Sequence, residues 1–214
     1  MIGYYDYTVV ATYAGLTAAV IGILFALTGN PTVAVYCLMI AGCTDMFDGR
    51  IARTKKGRTE SEKKFGIQID SLTDLVCFGV LPASVLCSIW VSGSEKIPFA
   101  AMAVASIYVL CAMIRLAYFN VVEEERQAQT TECRKEFLGM PVTTVAILLP
   151  LVYAFRPLFG EKFPIVLTVA MAIIALAFVS KIRVRKPGSV GVIIMSIIGI
   201  AELVFLIVGG RIWG

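Results

Sequence analysis

The sequence predicts an all-α, polytopic integral membrane bundle of about seven apolar helices, with its N-terminus in the cytoplasm. Three observations lead there. Of 214 residues, 58% are hydrophobic and only 16% charged, against roughly 25% charged in ordinary soluble domains; mean hydropathy is +0.85. Apolar blocks recur at about 8–28, 32–53, 66–93, 98–122, 140–155, 163–180 and 189–209, most of them near or above the roughly 20 residues that cross a bilayer. Finally, lysine and arginine are distributed very unevenly between successive loops.

The first block follows "MIGYYDYTVV", which lacks a basic leader, so the block reads as a retained anchor and not a cleaved signal peptide. Tyr4, Tyr5 and Tyr7 suit the membrane interface. The second block, Val33–Arg53, runs into the cytoplasmic interface, and the third and fourth are full-length spans. The fifth has only about 15 clean apolar residues before Arg156-Pro157. It is either a short span or one limb of a re-entrant hairpin with the sixth, so seven spans is the reading and six the fallback. With the N-terminus inside, the cytoplasmic loops hold Arg50, Arg53, Lys55, Lys56, Arg58, Lys63, Lys64, Arg126, Arg134, Lys135, Lys181, Arg183, Arg185 and Lys186. The opposite side holds Lys96, Arg156, Lys162 and Arg211, and Arg115 lies within a span. That is the positive-inside asymmetry, and a net charge of +4 adds attraction to anionic lipid headgroups. The run Glu123–Arg126 reads as a solvated loop. No repeat or second soluble domain is visible, so residues 1–214 read as a single membrane domain. The six cysteines show no CxxC spacing and read as reduced packing residues.

There is no histidine. Acid–base chemistry must therefore come from carboxylate, Tyr, Lys or Cys, and a metal site must be built mainly of oxygen. The carboxylates are conspicuous. Asp45 and Asp48 stand i, i+3 on the second helix, with Gly49 and Ala52 on the same side. Gly66, Asp70 and Asp74 repeat at i, i+4, i+8 on the third. At 1.5 Å per residue, Asp48 and Asp70 sit roughly 6–8 Å from their helix ends and Asp45 and Asp74 about 12 Å, so all four reach a similar depth. An unpaired charge costs about 2.5–3.5 kcal/mol at a membrane helix centre, and four neighbouring like charges repel. Divalent cations remove both problems; oxygen-only ligands suit Mg²⁺ or Mn²⁺, with Ca²⁺ a competitor.

The pattern Asp45-x2-Asp48-Gly49-x2-Ala52-Arg53-x12-Gly66-x3-Asp70-x3-Asp74 resembles the signature of the CDP-alcohol phosphatidyltransferase family. The one departure is a spacer of 12 residues between Arg53 and Gly66, against the commoner eight, with the extra residues in the polar stretch "TKKGRTESEKK". Beyond the signature, "FGIQIDSLTDLVCFGVLPA", "RLAYFNV" and "FLGMPV" are similar to the membrane-embedded branch of phosphatidylserine synthases. The resemblance implies transfer of a phosphatidyl group from CDP-diacylglycerol to L-serine at the cytoplasmic face of the cell membrane. It implies Asp45, Asp48, Asp70 and Asp74 as ligands of two Mg²⁺ or Mn²⁺ ions, with Asp74 also the base. Gly49, Ala52 and Gly66 would leave room for the CDP moiety, and Arg53 would bind phosphate. It further implies a homodimer and no nucleic-acid partner.

Arg115 lies about six residues, or roughly 9 Å, from its cytoplasmic helix end, which is the depth of the aspartates. It is a candidate contact for the serine carboxylate or lipid phosphate, the competing reading being a snorkelling arginine. Asn120 lies nearer the surface, open to either reading. Alternatives are transfer to glycerol 3-phosphate, inositol phosphate or inositol, and CDP-archaeol as donor. A cation transporter is disfavoured because the aspartates cluster toward one interface, without the repeats and midplane sites of transporters.

Overall fold

The computed structural model describes residues 3–5, 7–52, 54–55, 57, 59–94, 96–129, 136–185 and 189–213. The principal helices are α1 (Val10–Leu27), α2 (Pro31–Ala52), α3 (Glu60–Asp74), α4 (Leu81–Ser94), α5 (Phe99–Gln129), α6 (Val145–Ala154), α7 (Arg156–Phe159), α8 (Phe163–Val179) and α9 (Ser189–Trp213). A π turn, Leu75–Val80, joins α3 to α4 without a break in the helix. Four helical stretches among the described residues are long and apolar enough to cross a membrane: Val10–Leu27, Glu60–Gly93, Phe99–Glu125 and Arg156–Val179. Val142–Ala154 and Ile194–Val208 are apolar but shorter. The 22-residue α2 has the length, and its two aspartates dilute its hydropathy.

Close packing of α1 against α2 follows from a stripe of small residues. Thr12, Gly15, Ala19, Gly22 and Ala26, at alternating spacings of three and four, are the buried residues of α1. A Cβ added at Gly15 would lie 2.6 Å from Thr44 Oγ1, and one at Gly22 would lie 2.7 Å from Cys37 Cβ. Small side chains let membrane helices approach backbone to backbone, where dispersion contacts hold them. Gly42 does the same between α2 and α6, where an added Cβ would meet Ala146 Cβ at 2.5 Å.

Helix α3 opens with a capping box: Thr59 Oγ1 accepts from Glu62 N–H at 3.2 Å, and Glu62 Oε2 accepts from Thr59 N–H at 2.8 Å. Half of the "TKKGRTESEKK" stretch is therefore helix, where a loop was expected. Lys55 adds an ion pair to Glu62 at 3.0 Å. The segment before α1 reaches the same place, with Tyr7 OH 3.1 Å from Thr54 Oγ1 and the Tyr4 ring edge-on to Phe65 at 5.5 Å.

Helix α5 has 31 residues, about 46 Å at 1.5 Å per residue, well beyond a hydrocarbon core of about 30 Å. It runs through Glu123–Arg126, which the sequence reading assigned to a loop. Strong helix formers in "EEERQAQ" continue it, and Lys64 of α3 meets Glu124 at 3.5 Å. The chain also contains a three-residue antiparallel ribbon, β1 (Glu136–Leu138) with β2 (Arg183–Arg185), pairing Phe137 with Val184. Next to it Gly139 adopts φ +77°, and an added Cβ would stand 2.6 Å from Phe178 O. Its N–H donates to Ile182 O at 2.8 Å, and Met140 N–H donates to Ala177 O at 3.2 Å. The "FLGMPV" stretch is thus where the chain turns against the end of α8, a position that only glycine fits.

Candidate active site

Two helices supply the carboxylates and a third the nearest polar support. Asp45 and Asp48 project from α2, and Asp70 and Asp74 from the last turns of α3. One ligand oxygen each from Asp45, Asp70 and Asp74 lies within 4.8 Å of the others. Asp45 faces Asp74 and Asp48 faces Asp70, each pair at hydrogen-bonding range. Asp48 is 8% exposed, and its Oδ2 accepts from Thr12 Oγ1 of α1 at 3.3 Å. Thr12, Gly15, Thr44, Thr73 and Cys77 line the small cleft beside Asp45, Asp48 and Asp74.

Four carboxylates at such distances repel one another in a setting of low dielectric, and a hard cation offsets that repulsion. Opposite oxygens around Mg²⁺ stand about 4.2 Å apart and around Ca²⁺ about 4.8 Å, so the Asp45, Asp70 and Asp74 oxygens have the dimensions of a divalent-cation site. The donor set is all oxygen in a chain without histidine, which suits the same class of ion. The residues present fit the metal implied by the sequence motif.

Contacts between α3 and α5 show what shares this depth. Lys64 meets Glu124, Ser71 exchanges hydrogen bonds with Asn120 (2.8 and 3.1 Å), and an added Cβ on Gly79 would meet Ala112 at 3.6 Å. The helices are antiparallel, and this register sets Arg115 level with Asp74. Arg115 is 9% exposed, stacks on Phe119 at 5.1 Å, and is close enough to Asp74 for charge–charge interaction. Asn120 turns out to be the hydrogen-bond partner of Ser71, about one turn before Asp74 on α3.

The glycine positions differ from one another. Gly49 is exposed, and an added Cβ there meets nothing within 4 Å, so protein packing does not require glycine. Gly66 is half-buried in the second turn of α3. Ala52 is the last residue of α2; its side chain and all of Arg53 lie outside the described residues. Sequence reasoning did not single out Thr12, Thr44, Thr73 or Cys77. For Thr12 a signal existed: it is the one hydroxyl in the small-residue stripe of α1, in the helix's first turn.

A family model for CDP-alcohol phosphatidyltransferases matches residues 8–208. The CDP-diacylglycerol–serine O-phosphatidyltransferase of Mycobacterium tuberculosis is 36% identical over 154 residues, which is 72% of this chain and 49% of the relative. The enzyme of that name from Saccharomyces cerevisiae is 35% identical over 157 residues, 71% of this chain and 54% of the relative. The archaetidylserine synthase of Methanothermobacter thermautotrophicus is 28% identical over 169 residues, 79% of this chain and 66% of the relative. The chain spans about half the length of the mycobacterial and yeast relatives. With that match along nearly its whole length, and with four aspartates on two adjoining helices, the chain belongs to the CDP-alcohol phosphatidyltransferase family.

Proposed function

We propose that this protein transfers the phosphatidyl group of CDP-diacylglycerol to the hydroxyl of L-serine, giving phosphatidylserine and CMP. The observation that carries the reading is the four-carboxylate cleft between α2 and α3 with a buried arginine level with it. Asp45, Asp48, Asp70 and Asp74 would hold two Mg²⁺ or Mn²⁺ ions, which when bound supply positive charge to the diphosphate and to the departing CMP. Asp74 takes the proton from the serine hydroxyl as its oxygen bonds to the lipid phosphorus; the bond from that phosphorus to the bridging diphosphate oxygen breaks, and CMP leaves with the electron pair. Arg115, beside Asp74, orients the serine carboxylate, for which a guanidinium fork is the matching donor. The open face at Gly49, with Ala52 and Gly66, admits the nucleotide, and Arg53 binds phosphate.

Serine as acceptor is supported by the names of bacterial, fungal and archaeal relatives alike. The archaeal relative supports a second reading, the same transfer from CDP-archaeol. We further read residues 1–214 as one domain with seven spans, the N-terminus and the aspartate cleft on the cytoplasmic side, working as a homodimer. The placement of fourteen of the 19 basic residues supports this orientation.

An acceptor screen tests the reading. Purified protein with Mn²⁺ or Mg²⁺ and CDP-diacylglycerol should release CMP with serine, and not with glycerol 3-phosphate, inositol phosphate or inositol. CMP release that depends on one of the other acceptors would replace serine; turnover with CDP-archaeol alone would replace the donor.

A further inference from the structure

Asp74 is the last residue of α3, and the six residues after it wind as a π turn. The cause lies in the sequence. In an unbroken α-helix the Phe78 carbonyl would accept from residue 82, but that residue is Pro82, which has no N–H and whose ring crowds the carbonyl four residues back. The helix widens instead, and Leu81 N–H donates to Val76 O, five residues back. The Phe78 carbonyl then takes a donor from another helix. Tyr108 Oη of α5 donates to it at 2.7 Å, with both residues 0% exposed. The Tyr108 ring is held in turn by Phe178 of α8 at 5.5 Å.

A π turn inserts one residue, so it rotates everything on one side by about 100° relative to the other. Here one side carries Asp70 and Asp74. The other is anchored in the core: Leu81 packs against α1 where an added Cβ on Gly22 would meet it at 2.9 Å. Within the turn, Cys77 Sγ donates to Gly15 O at 3.5 Å and lines the aspartate cleft. The direction in which Asp70 and Asp74 point is therefore decided by the turn as well as by α3.

We propose that Tyr108 is a positioning residue: by holding the Phe78 carbonyl it locks the π turn that aims Asp70 and Asp74 at Asp45 and Asp48. What those carboxylates hold rests on the function proposed above. The test uses Tyr108→Phe, which removes the donor and keeps the ring against Phe178. Binding of Mn²⁺ alone, followed through the electron paramagnetic resonance signal of the free ion, should weaken by about 10-fold or more. Turnover should fall with it, while the serine KM stays nearly constant. Adding Pro82→Ala separates positioning from simple loss of a hydrogen bond. Residue 82 then offers its own N–H to Phe78 and an ordinary α-helix can close, so the fold is repaired and the rotation is lost; Mn²⁺ binding should stay weak. Should Tyr108→Phe not accumulate, the double variant is measured alone against the parent. Parent-like Mn²⁺ binding by Tyr108→Phe, or its recovery in the double variant, overturns the proposal. A parent protein that binds no Mn²⁺ would instead remove the metal reading, and this inference with it.

Discussion

Asp74 ends α3 with a carboxylate oxygen within 4.8 Å of ligand oxygens from Asp45 and Asp70 and with Arg115 beside it, a placement that suits the double role of ligand and base proposed for it. Asp74→Asn keeps the size and one ligand oxygen but cannot accept the proton. Turnover should fall by about 10²–10⁴-fold, with a much smaller change in CDP-diacylglycerol KM; near-normal turnover at saturating metal would remove Asp74 from the base role. Asp45→Ala or Asp70→Ala takes an oxygen from the three-carboxylate cluster and should abolish turnover and weaken CDP-lipid binding, with EDTA reproducing the loss reversibly in the parent. Activity that survives exhaustive chelation would overturn the assignment. Arg115→Lys keeps the charge and loses the fork. If Arg115 orients serine, the serine KM should rise about 10-fold or more, while the lipid KM holds. A rise in the lipid KM instead would place Arg115 at the phosphate, and lower stability with both constants unchanged would leave it a structural arginine.

At the scale of elements, the glycines separate packing from function. Gly42 sits where α2 crosses α6, and an added Cβ would lie 2.5 Å from Ala146 Cβ. Gly42→Leu should force the helices apart and destabilise by about 1–3 kcal/mol, read as a lowered Tm in detergent. Gly49, seven residues along the same helix, has nothing within 4 Å of an added Cβ. Gly49→Ala should leave Tm unchanged or slightly raised, since alanine favours helix by about 0.8–1 kcal/mol. If the nucleotide lies against that face, the CDP-diacylglycerol KM should nevertheless rise; no change in KM would move the nucleotide elsewhere. Helix positions were legible in the sequence wherever an apolar block was long, because a bilayer enforces both length and composition. Polar boundaries were not: α3 begins inside "TKKGRTESEKK" and α5 outruns its apolar block, because a capping box and good helix formers continue a helix into water as readily as into lipid.

For the whole molecule, two glycine turns test how the helices thread the membrane. Val142–Ala154 is a shorter apolar helix, and it connects through α7 and the turn at Gly160 to the long α8. Seven spans put Gly160 on the side opposite Gly57, whereas a re-entrant hairpin would bury Gly160 in the bilayer. Gly57 and Gly160 both have positive φ and open surroundings, so each should tolerate an epitope insertion. The tag at Gly160 should be accessible in intact cells and the tag at Gly57 only after permeabilisation. A Gly160 tag that stays hidden in both states would favour the re-entrant hairpin over seven spans.

The amino-acid sequence by itself determined a helical membrane chain, the pairing of Asp45 and Asp48 on one face and of Asp70 and Asp74 on another, and, with no histidine, the mainly oxygen character of any metal site. Each of these is a matter of periodicity or composition within one element. The tertiary structure decided what lies across from those faces: Thr12 on Asp48, Arg115 beside Asp74, Asn120 bonded to Ser71, and Tyr108 on the carbonyl to which Pro82, four residues on, cannot donate. These partners are 30 to 49 residues apart in the chain. No local pattern encodes such a distance; it follows from how closely small residues let the helices approach and from where one proline sets the turn of a helix.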